Sequence, residues 1–206
     1  MAYQLPVTIQ TQKMGTGVIS IEFPSVDKLA QPHVMHQINH TIVQWVHWMY
    51  EQQQKSQTGT LSQMIGHYEI KTNERGILSL TLSNYAYSTP MAHGFTIVKS
   101  LTFDVNTGKV YQLEDLFTAG SNYVEVISKL VSLQLKQRDL PLLNGFQSIQ
   151  PNQDYYLADK SLVVYFQLYE ITPYYVGFPM FPISVYDLLS IAKEPGLLNT
   201  LAADIQ

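Results

Sequence analysis

The chain has 206 residues, 46% of them hydrophobic and only 14% charged, where an ordinary globular protein carries roughly 25% charged residues, and this excludes a disordered chain. Its 12 Lys+Arg against 16 Asp+Glu give a net charge of −4, with Arg75 and Arg138 the two arginines and no basic cluster, which excludes the phosphate-neutralising face of a nucleic-acid binder. Cysteine is absent, so disulfides, zinc–thiolate sites, iron–sulfur clusters and a cysteine nucleophile are excluded, and no apolar run reaches the roughly 18 residues of a membrane-spanning helix.

In chain order, Leu5, Val7 and Ile9 alternate with polar neighbours and predict a first strand. After Gly15–Thr16–Gly17, Val18 to Phe23 predict a second strand, closed by Pro24. Pro32 suits a first helical turn. Val34/Met35, Ile38, Ile42, Trp45/Val46 and Met49 then recur at three- and four-residue steps, giving an amphipathic helix of about 20 residues. The Gln-rich stretch Glu51 to Gln57 reads as its solvated end. Tyr68 to Thr72, the turn Asn73–Glu74–Arg75–Gly76, and Leu78, Leu80 and Leu82 alternating with Ser79, Thr81 and Ser83 predict a hairpin whose second strand has one wet face. Phe95 to Val105 is another strand, and Asn106–Thr107–Gly108–Lys109 a turn into a strand at Val110 to Leu113.

A second long helix starts near Asn122, with Glu125 as a capping-box partner, and ends at Pro141. Ile127, Leu130, Val131, Leu133 and Leu135 form its apolar side. Tyr155–Leu157 and Leu162–Leu168 make a last hairpin. The unbroken apolar run Leu162–Phe166 predicts a central strand covered on both faces. Tyr169 to Pro182 reads as a loop. Ser184 and Asp187 can cap a short helix, Val185 to Ala192, and Pro195–Gly196 leads to a weak tail. The fold class is α+β, a mainly antiparallel sheet with two longer helices packed on it. Residues 1–60 form a strand–strand–helix part and residues 61–206 an α+β domain, expected to make one compact unit.

Chemistry is sparse. His36 and His40 stand one helical turn apart, but Gln37 occupies the place of the zinc-protease base, and a solvated helix face is the simpler reading. No metal site and no cofactor is expected. Asn39–His40–Thr41 has the form of a glycosylation acceptor inside a helix and is read as chance. No phosphate loop, nucleophile elbow or dinucleotide fingerprint occurs. Two loops hold more. One carries His93–Gly94 and the other runs Tyr169–Glu170–Ile171–Thr172–Pro173–Tyr174–Tyr175–Val176–Gly177. A partly buried Glu170 could pair with His93 for acid–base work. The simpler reading has Glu170 accept backbone N–H bonds and hold its loop. Of 14 Tyr, Tyr165, Tyr169, Tyr174 and Tyr175 fall within eleven residues, and Tyr169, Tyr174, Tyr175, Phe178 and Phe181 share their segment with Pro173, Pro179 and Pro182, which stiffen it. That composition suits a recognition surface, or an edge loop folded over the core.

These motifs resemble a known family. Met91–Ala92–His93–Gly94, Leu101–Thr102–Phe103–Asp104–Val105–Asn106–Thr107–Gly108–Lys109, Leu113–Glu114–Asp115–Leu116–Phe117, Phe146, Tyr155–Tyr156–Leu157 and Tyr169–Glu170–Ile171–Thr172–Pro173–Tyr174 follow the order and spacing of the RsiV-type domain over about residues 85–192. Residues of about 3–60 are similar to the partner domain that usually precedes it. The two are domain-of-unknown-function families 3298 and 4163, found in Bacillus-type bacteria. The resemblance implies a lysozyme-sensing outer domain of an anti-sigma factor, here without transmembrane or sigma-binding segments. It also implies a family that precedes polysaccharide deacetylase domains. By resemblance the recognition residues are His93, Gly94, Glu170, Pro173, Tyr174 and Tyr175, and no residue is catalytic. The expectation is a non-enzymatic binding module for a protein such as lysozyme or for a cell-envelope glycan. The rivals are an enzyme using His93 and Glu170 and a cytoplasmic structural or assembly protein. The start, Met1 to Gln12, lacks the features of a signal peptide. A cytoplasmic location is therefore expected, or an extracytoplasmic one for a piece of a longer chain. Oligomeric state is left open.

Overall fold

The structure, a computed structural model, describes residues 7–203. Leu5 and Pro6 of the expected first strand lie outside the described residues. The chain forms two compact units, divided between Val110 and Tyr111.

The first unit is a five-stranded sheet in the order β1–β2–β3–β4–β5, from β1 (Thr8–Met14), β2 (Ile19–Asp27), β3 (Thr60–Glu74), β4 (Ile77–Thr89) and β5 (Phe95–Asp104). Its pairs are antiparallel except β2 with β3, which run parallel from Ile19↔Met64 to Ile21↔Gly66. The crossover between them is the helix α1 (Pro32–Ser56). Val34, Ile38, Ile42, Val46 and Met49 bury its apolar stripe against Ile21, Met64, Leu78, Leu80, Leu82 and Leu101 of the sheet. The α+β reading therefore holds, with a mainly antiparallel sheet.

Several local expectations change. Pro24 lies inside β2, opposite Thr11 of β1. Two residues on, Val26 turns its N–H to the Asn39 side chain of α1 at 2.7 Å rather than to a strand, so a missing N–H on that edge costs no ladder bond. Asn39 also donates to the Val26 carbonyl at 2.9 Å, which commits the amide of the Asn39–His40–Thr41 triplet to the fold. The Gln-rich helix end is not wholly solvated: Gln53 is fully buried and donates to the carbonyls of Asn84 at 2.6 Å and Phe95 at 2.9 Å. The Ser/Thr face of β4 is not wet either. Ser79 and Thr81 are buried, and Ser79 shares a 2.9 Å hydroxyl bond with its cross-strand partner Thr102. Paired hydroxyls satisfy one another, which lets them leave water. The β3–β4 turn is as expected. Arg75 and Gly76 both have positive φ, 54° and 77°, the geometry of a two-residue hairpin turn.

The second unit holds α2 (Tyr123–Gln137), α3 (Leu197–Ala202) and a three-stranded antiparallel sheet, β6 (Tyr155–Ala158), β7 (Ser161–Tyr165) and β8 (Met180–Ser184), in the order β6–β7–β8. The apolar run is the central strand β7, with Leu162, Val163, Val164 and Tyr165 all buried. Met180 to Pro182, the end of the expected loop, are part of β8. It is an edge strand, where proline is tolerated. The expected strand Val110–Leu113 is a single bridge at Val110 followed by a 3₁₀ turn, Leu113–Leu116. Asn122 makes no capping bond to the backbone; its amide reaches the Glu125 carboxylate at 3.4 Å. Leu133 is half-exposed, and Ser128 takes part in the buried stripe of α2 with Ile127, Val131 and Leu135. The weak tail is α3, which buries Leu197, Leu198 and Leu201.

Candidate functional site

The sequence-derived residues fall in both units. His93 and Gly94 lie in the β4–β5 loop of the first unit. Glu170, Pro173, Tyr174 and Tyr175 lie in the β7–β8 connection of the second.

In the first loop His93 is exposed and places Nδ1 2.9 Å from the Gly94 carbonyl oxygen, which makes Nδ1 the donor. Gly94 is buried. A Cβ there would stand 2.2 Å from the Tyr85 ring, so glycine is what lets the backbone pass beneath that tyrosine.

The second loop is built from β7 outward. The strand ends on Tyr165, and Phe166, the last residue of the apolar run, packs edge-on to both Phe146 and Phe181. Gln167 to Glu170 then forms a turn closed by Glu170 N–H donating to the Gln167 carbonyl at 3.1 Å, with Tyr169 at φ 65°. The Glu170 carboxylate accepts the Gln167 N–H at 2.6 Å and the Gln153 side-chain N–H at 3.1 Å. Glu170 is exposed as a residue, and its bond from the Gln167 backbone N–H is the loop-holding role of the simpler reading. Its neighbours reach solvent while its oxygens hold the turn. Thr172 is fully buried in the middle of the loop, and the Ile171 carbonyl accepts the Leu143 N–H at 3.0 Å. Pro173 then starts a single 3₁₀ turn, Tyr174–Val176, which Gly177 ends at φ 77°.

The aromatic residues of this segment divide into two groups. Tyr165, Phe166 and Phe181 are core, and Arg138 stacks over Phe181 at 5.2 Å while donating to the Met180 carbonyl at 2.7 Å. Tyr169 and Tyr174 lean on one another with ring centroids 5.5 Å apart. Tyr175 is 79% exposed, more than any other large hydrophobic residue recorded as exposed. A tyrosine presented on a short, fixed turn offers apolar area and a hydroxyl at little entropic cost. Periodicity marked neither Gln153 nor Gln167, which anchor this loop, because both sit in turns.

Elsewhere an open groove beside α2 is lined by Asn122, Val124, Glu125, Ser128, Lys129, Ser132, Gln147 and Ser148. The Lys129 bond to Glu125 holds that carboxyl below its ordinary value, with the Asn122 amide adding to it. Tyr123 is raised above the ordinary phenol value by desolvation and then by the Glu114 charge. Among the described residues no three His, Asp or Glu side chains gather where a metal ion could sit, and no helix is long and apolar enough to cross a membrane.

Residues 114–186 match the family model described as a protein of unknown function, DUF3298. This segment belongs to the DUF3298 family. It contains Glu170, Pro173, Tyr174 and Tyr175 and excludes His93 and Gly94. The chain is also 26% identical over 181 residues to the anti-sigma-V factor RsiV of Bacillus subtilis, covering 80% of this chain and 62% of RsiV. The chain thus spans about three-fifths of that relative's length. Two solved DUF3298 structures share the fold. One, from Pseudomonas aeruginosa, has a TM-score of 0.71 at 18% identity and covers 97% of this chain and 98% of its own. The other, from Bacteroides fragilis, has a TM-score of 0.65 at 15% identity and covers 98% of both chains. The RsiV-like reading of the sequence is borne out, and the DUF3298 segment is the part that carries the tyrosine loop.

Proposed function

We propose that this RsiV-like protein is a non-enzymatic binding module whose ligand is a protein such as lysozyme or a cell-envelope glycan, recognised through the Tyr169–Gly177 loop. The observation that carries the reading is Tyr175, 79% exposed on a turn whose backbone is anchored on both sides. Exposed, rigidly held tyrosines are the residue type that concentrates binding energy at interfaces. Pro173 starts the turn, Tyr174 braces Tyr169, and Glu170 holds the base of the loop. The family likeness makes the His93–Gly94 loop of the first unit a recognition candidate in its own right. Calorimetric titration with hen lysozyme and with soluble peptidoglycan fragments tests the ligand class. Binding by one of them, weakened about 30-fold by Tyr175→Ala as expected for an interface hot spot of about 2 kcal/mol, supports the reading. No heat with either ligand removes it.

A further inference from the structure

We infer that Gln153 is a positioning residue for the Tyr169–Gly177 loop, acting through Glu170; the functional weight of this inference rests on the binding role proposed for that loop. Gln153 lies in the turn before β6 and is 5% exposed. All of its hydrogen-bonding groups are committed. Its Oε1 accepts the Gln150 N–H at 3.2 Å, and its Nε2 donates to the Tyr165 carbonyl at 3.0 Å and to Glu170 Oε1 at 3.1 Å. The first bond fixes the side chain to its own turn. The second reaches the last residue of β7. The third reaches the carboxylate that closes the recognition loop.

The other Glu170 oxygen accepts the Gln167 N–H at 2.6 Å, and the Gln167 side chain donates to Asp154 Oδ2 at 2.8 Å. Two segments, 150–154 and 165–170, are therefore stitched together by side-chain amides and carboxylates. The stitch holds Tyr169 in the left-handed region at φ 65°, a conformation that tyrosine rarely adopts without support. Tyr169 in that conformation meets the Tyr174 ring, and Tyr175 follows on the same short turn.

The donor and acceptor pattern demands an amide at position 153. A carboxylate there would still accept from Gln150 but would face the Glu170 carboxylate. A thioether of similar length would leave the Tyr165 carbonyl and the Glu170 oxygen without their donor. Charge-assisted bonds such as the two at Glu170 are the stronger kind, so the loop's order depends on them more than on its sparse packing.

The test uses the whole chain and needs no ligand for its first arm. Amide hydrogen exchange followed by NMR reads the loop directly. In Gln153→Met and Gln153→Glu the amides of residues 167–177 should exchange at least ten-fold faster, while those of β6 and β7 stay within about two-fold. The swap Gln153→Glu with Glu170→Gln restores a donor facing an acceptor between the two positions and should bring loop exchange back towards that of the parent chain. Loop exchange unchanged in Gln153→Met, or a swap no better than Gln153→Glu alone, overturns the inference. Should Gln153→Met fail to fold, Glu170→Ala at the exposed end of the same link must reproduce the faster exchange, and its failure to do so overturns the inference equally. In the second arm, titration with hen lysozyme separates the two levels. Lack of lysozyme binding by the parent chain counts only against lysozyme as the ligand in the binding reading and leaves the exchange result standing, whereas binding that Gln153→Met leaves unchanged refutes the positioning role.

Discussion

Replacing Gln53 by Leu tests how the first unit closes over the end of α1. Gln53 is fully buried in the last turns of a helix whose other inward residues are Val34, Ile38, Ile42, Val46 and Met49. Its amide N–H groups reach two carbonyls, Asn84 at 2.6 Å and Phe95 at 2.9 Å, and so fasten the helix to β4 and β5 at once. Because Gln53 is fully buried, each bond sits at the upper end of the usual net range, about 1–1.5 kcal/mol, so the pair contributes about 2–3 kcal/mol. Leucine is shorter but no smaller in volume and returns part of this as apolar burial, of the order of 1 kcal/mol. The net loss expected for Gln53→Leu is therefore about 1–2 kcal/mol, and about 3 kcal/mol for Gln53→Ala, which also leaves a cavity. For a chain of this length that is a fall in Tm of about 2–8 °C for the leucine variant. Calorimetric melting of the three proteins at one concentration measures it. A leucine variant as stable as the parent would refute the reasoning, since it would mean that apolar closure suffices and the two carbonyls need no donor.

The other predictions are of the same kind. Gly66→Ala puts a Cβ 2.5 Å from Ile21 Cγ2, where β2 and β3 run parallel, and should cost about 1–3 kcal/mol in urea unfolding; a neutral variant would show that the strands separate freely there. Asn39→Ala removes both bonds to Val26 and leaves its N–H without that partner, so chemical denaturation should show a loss of about 1–3 kcal/mol. Leu198→Ala, in the short α3, should cost about 2–4 kcal/mol, because Leu198 is fully buried; a loss below about 0.5 kcal/mol would mean that the tail is not packed. Tyr123 should ionise above the ordinary phenol range. With a folded value raised above the unfolded one, its contribution to stability is present below the ordinary phenol value and is lost as pH rises through the raised value. An absorbance titration of the parent minus Tyr123→Phe should show the late phenolate, and an ordinary midpoint would contradict the burial and the Glu114 charge as its causes.

The elements that announced themselves in the sequence are those whose pattern has one physical cause. The apolar steps of α1, the continuous run of β7 and the Asn73–Gly76 turn each follow from burial or backbone geometry alone. Gln53 escaped because its polarity is cancelled by two carbonyls from distant strands. Ser79 and Thr102 escaped for the same reason, as they pair across a register that periodicity does not give. Strand β8 escaped because it begins in a proline-rich stretch, and proline, disqualifying in a central strand, is tolerated at the edge it occupies. At the candidate site the tyrosines and prolines stood out by composition. Which of them are core and which face solvent did not: Phe181 is wholly buried and Tyr175 is 79% exposed, six positions away in the sequence and far apart in role.

The central claim is that the Tyr169–Gly177 loop is where this RsiV-like protein meets its ligand. Hydrogen–deuterium exchange of the full chain with and without hen lysozyme at saturating concentration tests it most directly. The account predicts protection concentrated in peptides spanning residues 169–177, lost with Tyr175→Ala. Binding that protects other segments and leaves 169–177 unchanged would contradict it.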